Sequence, residues 1–220
     1  MVFTATQAEL RPVSALIKMR DGLLLQLIGW VLLSISIILL SISIMFIAIG
    51  FIAAMPARIS QPISPSVSMW RTALGWVIAS LALLFIGAII ALIGFYAKFV
   101  PGVGELARAR PEFSTASSLI KVGYIGGLVL LAIGAVLLIV IVGVILILVG
   151  LVFLVVGHIG VAILCFKLND AYRNSLYLAA GIILLVSIVF PILGVISWIL
   201  LYIALGDTIS KLQTPSAVVT

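Results

Sequence analysis

The sequence predicts an all-α fold: a polytopic transmembrane helix bundle of five spans with a cytoplasmic N-terminus. Three observations predict it. From Val122 to Phe166 no side chain is charged, and His158 is the only strongly polar one. One membrane-crossing helix takes about 20 residues, so this run is read as two helices back to back. Only 8% of the chain is charged and 65% is hydrophobic, with a mean hydropathy of +1.49, whereas an ordinary soluble domain is about a quarter charged. The apolar runs also lack the polar/apolar alternation of barrel strands. In lipid each backbone N–H and C=O must then be satisfied within a helix.

Met1 to Asp21 forms a polar lead-in carrying Glu9, Arg11, Lys18, Arg20 and Asp21. Pro12 suits the first turn of a short helix, with Val13, Leu16, Ile17 and Arg20 spaced for one interfacial face. Residues 22–205 then form a single transmembrane domain. Its first span, Gly22 to Met55, is roughly 50 Å long at 1.5 Å per residue, so it must tilt or protrude from a core of about 30 Å. It also exceeds the core of a signal peptide and is expected to be retained. Pro56 to Arg71 is a loop, since Pro56, Pro62 and Pro65 are unsuited to a helix interior. Thr72 to Phe95 is the second span.

Tyr96 to Lys121 reads as the largest polar loop, with a turn at Pro101-Gly102 and Gly104. Gly102-Val103-Gly104 is no phosphate loop, because it follows a membrane helix and lacks the third glycine. Ser114, Thr115 and Ser117 are cap candidates for a third span over 118–142. Gly143 is the natural tight turn, and 144–166 is the fourth span. Lys167 to Asn174 is a short polar loop. Ser175 to Leu205 is read as one helix kinked at Pro191; a re-entrant hairpin bending at Phe190 to Gly194 is the alternative, giving six spans. The tail, Gly206 to Thr220, is expected to be short and disordered.

The net charge of +6 comes from basic residues in the segments beside apolar runs, where they set orientation. No basic patch large enough for nucleic acid is present. Five spans place nine Lys and Arg on the N-terminal side and three on the other; a terminal hairpin returns Lys211 and makes this ten and two. Either count puts the N-terminus inside. Trp70, Trp76, Trp198 and Tyr202 are read as the outer aromatic belt, and Tyr96, Phe99, Tyr124, Tyr172 and Tyr177 as the inner one. The lone cysteine, Cys165, excludes a disulfide within the chain and reads as a small packing residue.

Small residues recur at seven-residue intervals: Gly29, Ser36, Ser43 and Gly50; Ala73, Ser80, Gly87 and Gly94; Gly127 and Gly134; Gly150 and Gly157; Ala180, Ser187 and Gly194. A seven-residue repeat keeps one seam turned to a neighbouring helix. Small residues on that seam let backbones approach, which matters because lipid supplies no hydrophobic drive for helix association. Gly123-x-x-x-Gly127 adds a local contact of the same kind. No Asp, Glu, Lys or Arg lies within an apolar run, and such residues usually mark proton relays, ion paths and voltage sensors. No acid pair, nucleophile–base pair or metal-spaced cluster is present either, so no catalytic residue, metal or cofactor is assigned. His158 is the one candidate ligand, for haem or copper. Its first reading is a neutral imidazole hydrogen-bonded between helices.

Arg20-Asp21-Gly22, Leu92-Ile93-Gly94-Phe95, the glycine-rich third and fourth spans, Gly181-Ile182-Ile183-Leu184-Leu185 and Ile196-Ser197-Trp198-Ile199-Leu200 carry a family resemblance. They resemble a multi-pass membrane family of thermoacidophilic, Sulfolobales-type archaea, described only as a domain of unknown function. The resemblance implies an archaeal cell membrane, whose lipid monolayer suits the long first and last runs. It brings no catalytic residues. The function expected is a non-catalytic membrane subunit or scaffold, packed against itself or other membrane subunits. The alternatives are a carrier or channel for a small neutral solute, lined by Ser34, Ser36, Ser41 and Ser43 with the Pro191–Gly194 break, and an electron-transfer subunit using His158.

Overall fold

The computed structural model describes residues 7–57, 67–139 and 141–214, with side chains described for 12–52, 71–139 and 141–214. The described residues form eight α-helices, in order α1 (Gln7–Ala57), α2 (Val67–Leu92), α3 (Val100–Ala109), α4 (Ser114–Ile120), α5 (Gly127–Val136), α6 (Ile141–Tyr172), α7 (Ser175–Val186) and α8 (Ile192–Gln213). Two π-helical segments, Ile93–Phe99 and Lys121–Gly126, join α2 to α3 and α4 to α5. Among the described residues there is no strand. Among the described residues, five helical stretches are long and apolar enough to cross a membrane: Pro12–Ile52, Arg71–Ala109, Pro111–Val136, Ile141–Tyr172 and Ile192–Gln213. The fold class is therefore the helical, polytopic one that composition dictates.

The chain divides into two compact units. The first comprises residues 1–24 and 94–220, the second 25–93. In the first unit α5 and α4 pack on α6, α6 packs on α7, and α7 packs on α8. The start of α1 enters the same core through Ala15, Leu16, Met19 and Leu23, all fully buried. Their spacing is helical, but the buried face is one step round from the one expected, since Ile17 is exposed and Val13 half-buried. In the second unit the later part of α1 packs on α2.

Several connections differ from expectation. The stretch 96–121 is not an open loop: it is helical except at Arg110, which takes an extended backbone (φ −139°, ψ 99°). Pro111 follows, and a proline crowds the residue before it out of the helical region. Pro101 lies inside helix rather than in a turn. It has no N–H to donate and its ring presses on the carbonyl four residues back; the seven residues before Val100 are wound in the wider π geometry. Ser114 makes no side-chain cap, because the helical path already begins at Pro111. The loop read over Pro56–Arg71 falls largely outside the described residues, and helix is already present at Ala57 and again from Val67.

The run Ser175–Leu205 is not one kinked helix. It divides into α7 and α8, which turn about 187–191 and pack against each other. Tyr177 Oη donates to the Ala204 carbonyl over 3.1 Å and lies 2.8 Å from the Thr208 hydroxyl. Ser197 Oγ donates to the Ala180 carbonyl over 2.7 Å. Asn174 caps α7 by accepting from Leu176 N and donates to Asp207 near the end of α8. The segment 206–213, expected to be disordered, continues α8, with Thr208 and Ile209 buried. Trp198 is consequently buried rather than in an outer belt, 5.9 Å and 5.6 Å ring to ring from Phe95 and Phe99.

The hairpin puts the end of α8 beside the start of α7. Single cysteines at Arg108 and Thr214, introduced into Cys165→Ser protein in sealed vesicles, should react with an impermeant maleimide from the same side. Labelling from opposite sides would mean that α7 and α8 cross as one span. At the α6–α7 junction Arg173 takes a positive φ of 52°, a conformation that costs a residue with a Cβ about 1–2 kcal/mol. Arg173→Gly should therefore raise the thermal denaturation midpoint.

Candidate functional site: glycine seams and an aromatic cluster

Several of the small residues singled out in sequence lie against a neighbouring helix. In the second unit they meet in antiparallel order. A Cβ at Gly29 would come within 2.6 Å of Ala91 N and 2.7 Å of the Gly87 carbonyl, and one at Gly87 within 3.1 Å of the Gly29 carbonyl. Seven residues on, buried Ser36 donates its hydroxyl to the Ser80 carbonyl. Seven further, Ser43 and Ala73 line one apolar recess of about 430 Å³ with Leu39, Phe46, Thr72 and Trp76. Gly50 is half-buried.

The first unit repeats the arrangement. A Cβ at Gly22 would lie 2.6 Å from the Gly94 carbonyl and from Phe99 N. Gly123 meets the backbone of Gly157; Gly127 meets the Gly150 carbonyl at 3.1 Å and Leu154; Gly134 meets the Gly143 carbonyl at 2.9 Å and Ile147. Gly102 meets Met19 and Ala15, and Gly160 meets Leu119 and Ile120. Gly143 is thus not the turn of the α5–α6 hairpin. The turn lies at 137–139, and Gly143 sits inside α6, where a side chain would strike the Leu137 carbonyl. Gly22, Gly102 and Gly160 were missed in sequence. Extending the first heptad row one step back from Gly29 finds Gly22; nothing local marks the other two.

The polar groups within the spans are mostly turned to backbone. Ser34, Ser41, Ser43 and Ser80 each donate to the carbonyl four residues earlier, and Ser187 to the carbonyl three earlier. Ser34 and Ser41 are exposed, whereas Ser36 and Ser43 lie in the seam. Two residues turn a helix by about 200°, so these four hydroxyls divide between two faces and do not line a common path.

His158 belongs to an aromatic cluster between the two π-helical segments. Its Nδ1 lies 2.9 Å from the Leu154 carbonyl of its own helix, so its bond is within α6 rather than between helices. An N–H at Nδ1 makes that bond and leaves Nε2 as the acceptor. The Tyr124 ring lies 5.4 Å from the imidazole and 4.6 Å edge-on to Phe95. Gly157 leaves room for it, since a Cβ there would meet the Tyr124 ring at 2.7 Å. Tyr96 Oη donates to the Tyr124 carbonyl over 3.2 Å, joining one π segment to the other. The buried Tyr124 hydroxyl has no hydrogen-bond partner among the described residues. Cys165 is fully buried, with Gly181 packed against it. Among the described residues no three of His, Cys, Asp and Glu gather as a metal site would require.

Apolar helices of spanning length, joined through glycine and serine contacts, define a multi-pass membrane protein. The chain belongs to the family described as a protein of unknown function, DUF973, whose model matches residues 12–220. Comparison with curated proteins and with solved structures gives no match.

The seams predict a contrast between two kinds of glycine. Gly29→Val inserts a branched side chain where backbone now lies, and should destabilise the protein by about 1–3 kcal/mol. At Gly75 a Cβ meets nothing within 4 Å, so Gly75→Ala should be neutral or stabilising by up to about 1 kcal/mol through helix propensity. Thermal denaturation of both variants in the same detergent checks the difference.

Proposed function

We propose that the protein is a non-catalytic integral subunit or scaffold of an archaeal cell membrane, with its N-terminus in the cytoplasm, and that it works within a larger membrane complex. The observation carrying this reading is how the polar inventory of the spans is used. The serines there bond to helix carbonyls, and the ion pairs Lys18–Glu105, Lys98–Asp21, Arg110–Glu112 and Lys211–Asp207 involve residues flanking the apolar runs. Hydroxyls bonded to backbone carbonyls, most within their own helix and those of Ser36 and Ser197 across to a neighbour, are not committed to moving a proton or a solute.

The orientation is supported by the terminal hairpin, which returns Lys211 to the end that carries Lys18, Arg20 and Lys98 and so sharpens the charge asymmetry to ten against two. Association is supported by the outward side of α2, where Gly75, Ala79 and Ala82 are exposed and leave room for a closely packed neighbouring helix. The scaffold reading is favoured over a solute path because Ser34 and Ser41 face away from Ser36 and Ser43. Haem or copper ligation is the weaker second reading, resting on His158 Nε2 alone.

Native mass spectrometry of gently solubilised membranes tests the proposal. A species heavier than one chain, retaining a second protein or a second copy, is expected. Recovery only as a free monomer across mild detergents contradicts it.

A further inference from the structure

Arg20 has a setting that no other described cation shares. Its Cζ stands 5.0 Å from the centroid of the Tyr202 ring, and Nη2 reaches the Tyr202 hydroxyl at 3.4 Å. Across from it α8 carries Gly206, where a Cβ would lie 3.3 Å from Nε and 3.4 Å from Cζ. Nε is closed off from solvent and has no hydrogen-bond partner among the described residues, while the residue as a whole stays partly exposed. The nearby acids are engaged elsewhere: Glu105 with Lys18, Asp21 with Lys98, and Asp207 with Lys211 and Asn174. Among the described residues Arg20 therefore keeps its charge without a carboxylate. A guanidinium offers five donors in a rigid fork, and a buried donor left unmade is costly.

We propose that Arg20, backed by Tyr202 and Gly206, binds the phosphate of an anionic lipid headgroup. A phosphate accepts two parallel N–H bonds from a guanidinium. Drawing the two Nη nitrogens onto one phosphate neutralises a charge that no described carboxylate meets, while Nε stays turned to Gly206. Basic pockets between membrane helices near the cytoplasmic surface suit such headgroups, and this one lies between α1 and α8, where the apolar runs end. Gly206 is what lets the guanidinium lie close against α8. The inference concerns a lipid ligand and does not depend on the subunit reading.

The test is lipid retention by full-length protein in detergent micelles, read by native mass spectrometry after adding phosphatidylcholine or phosphatidylglycerol, with inorganic phosphate added as a second arm. Wild-type protein should prefer the phosphatidylglycerol. Arg20→Gln should weaken that preference by roughly tenfold, the loss of about one charge-assisted bond. Arg108→Gln, at an exposed cation, should leave it unchanged. Competition by inorganic phosphate would assign the same site to free phosphate rather than to lipid and overturn the lipid assignment. Equal preference in wild type and Arg20→Gln overturns the proposal. Should Arg20→Gln fail to fold, Arg20→Lys keeps the charge and loses the fork. An intermediate preference supports the site, and a preference equal to wild type overturns it.

Discussion

The constraint on which the structure depends is close approach of backbones inside lipid. Two Leu-coated helices gain nothing by leaving acyl chains for each other, so contact must come from dispersion between tightly fitted surfaces and from hydrogen bonds that lipid cannot offer. Both need the helix axes near one another, and a Cβ in the seam holds them apart. At Gly29, Gly22, Gly123 and Gly143 the atom that a Cβ would strike is backbone, not the flexible end of a side chain. Such a neighbour cannot give way without moving a whole helix.

The hydrogen bonds follow the same geometry. Ser36 reaches the Ser80 carbonyl, and Ser197 reaches that of Ala180, because small residues leave no bulk between the two helices. Glycine also accommodates rings. Gly157 makes room for Tyr124, which brings His158, Phe95 and Tyr96 into one cluster beside the two π-helical segments. Widened helical turns of this kind are frequent at functional sites, and here they sit beside the Tyr124 hydroxyl, which is buried without a partner among the described residues.

The spans and the seams were largely legible, because both depend on spacing along one chain. Gly29, Ser36 and Ser43 can be seen to share a face without knowing what faces them. Their partners Gly87, Ser80 and Ala73 show the same period, so even the antiparallel pairing is implicit. The terminal hairpin was less legible, since Pro191 suits a kink and a turn equally well. The contacts that distinguish them, Tyr177 to Ala204 and Ser197 to Ala180, join distant residues. Gly143 misled for a related reason: glycine serves tight turns and close contacts alike, and only the position of Leu137 separates the two. The settings of Arg20 and Tyr124 were not legible at all, because each is defined by residues far away in sequence.

The central claim is that the seams join helices of the same chain. The most direct measurement is disulfide formation between cysteines placed at Ser36 and Ser80 together, in Cys165→Ser protein oxidised within its own membrane. Intrachain pairing predicts a monomeric, cross-linked band whose mobility shifts on reduction. A covalent dimer in its place, or no cross-link at all, would mean that these seams face another chain or lipid, and would contradict the account.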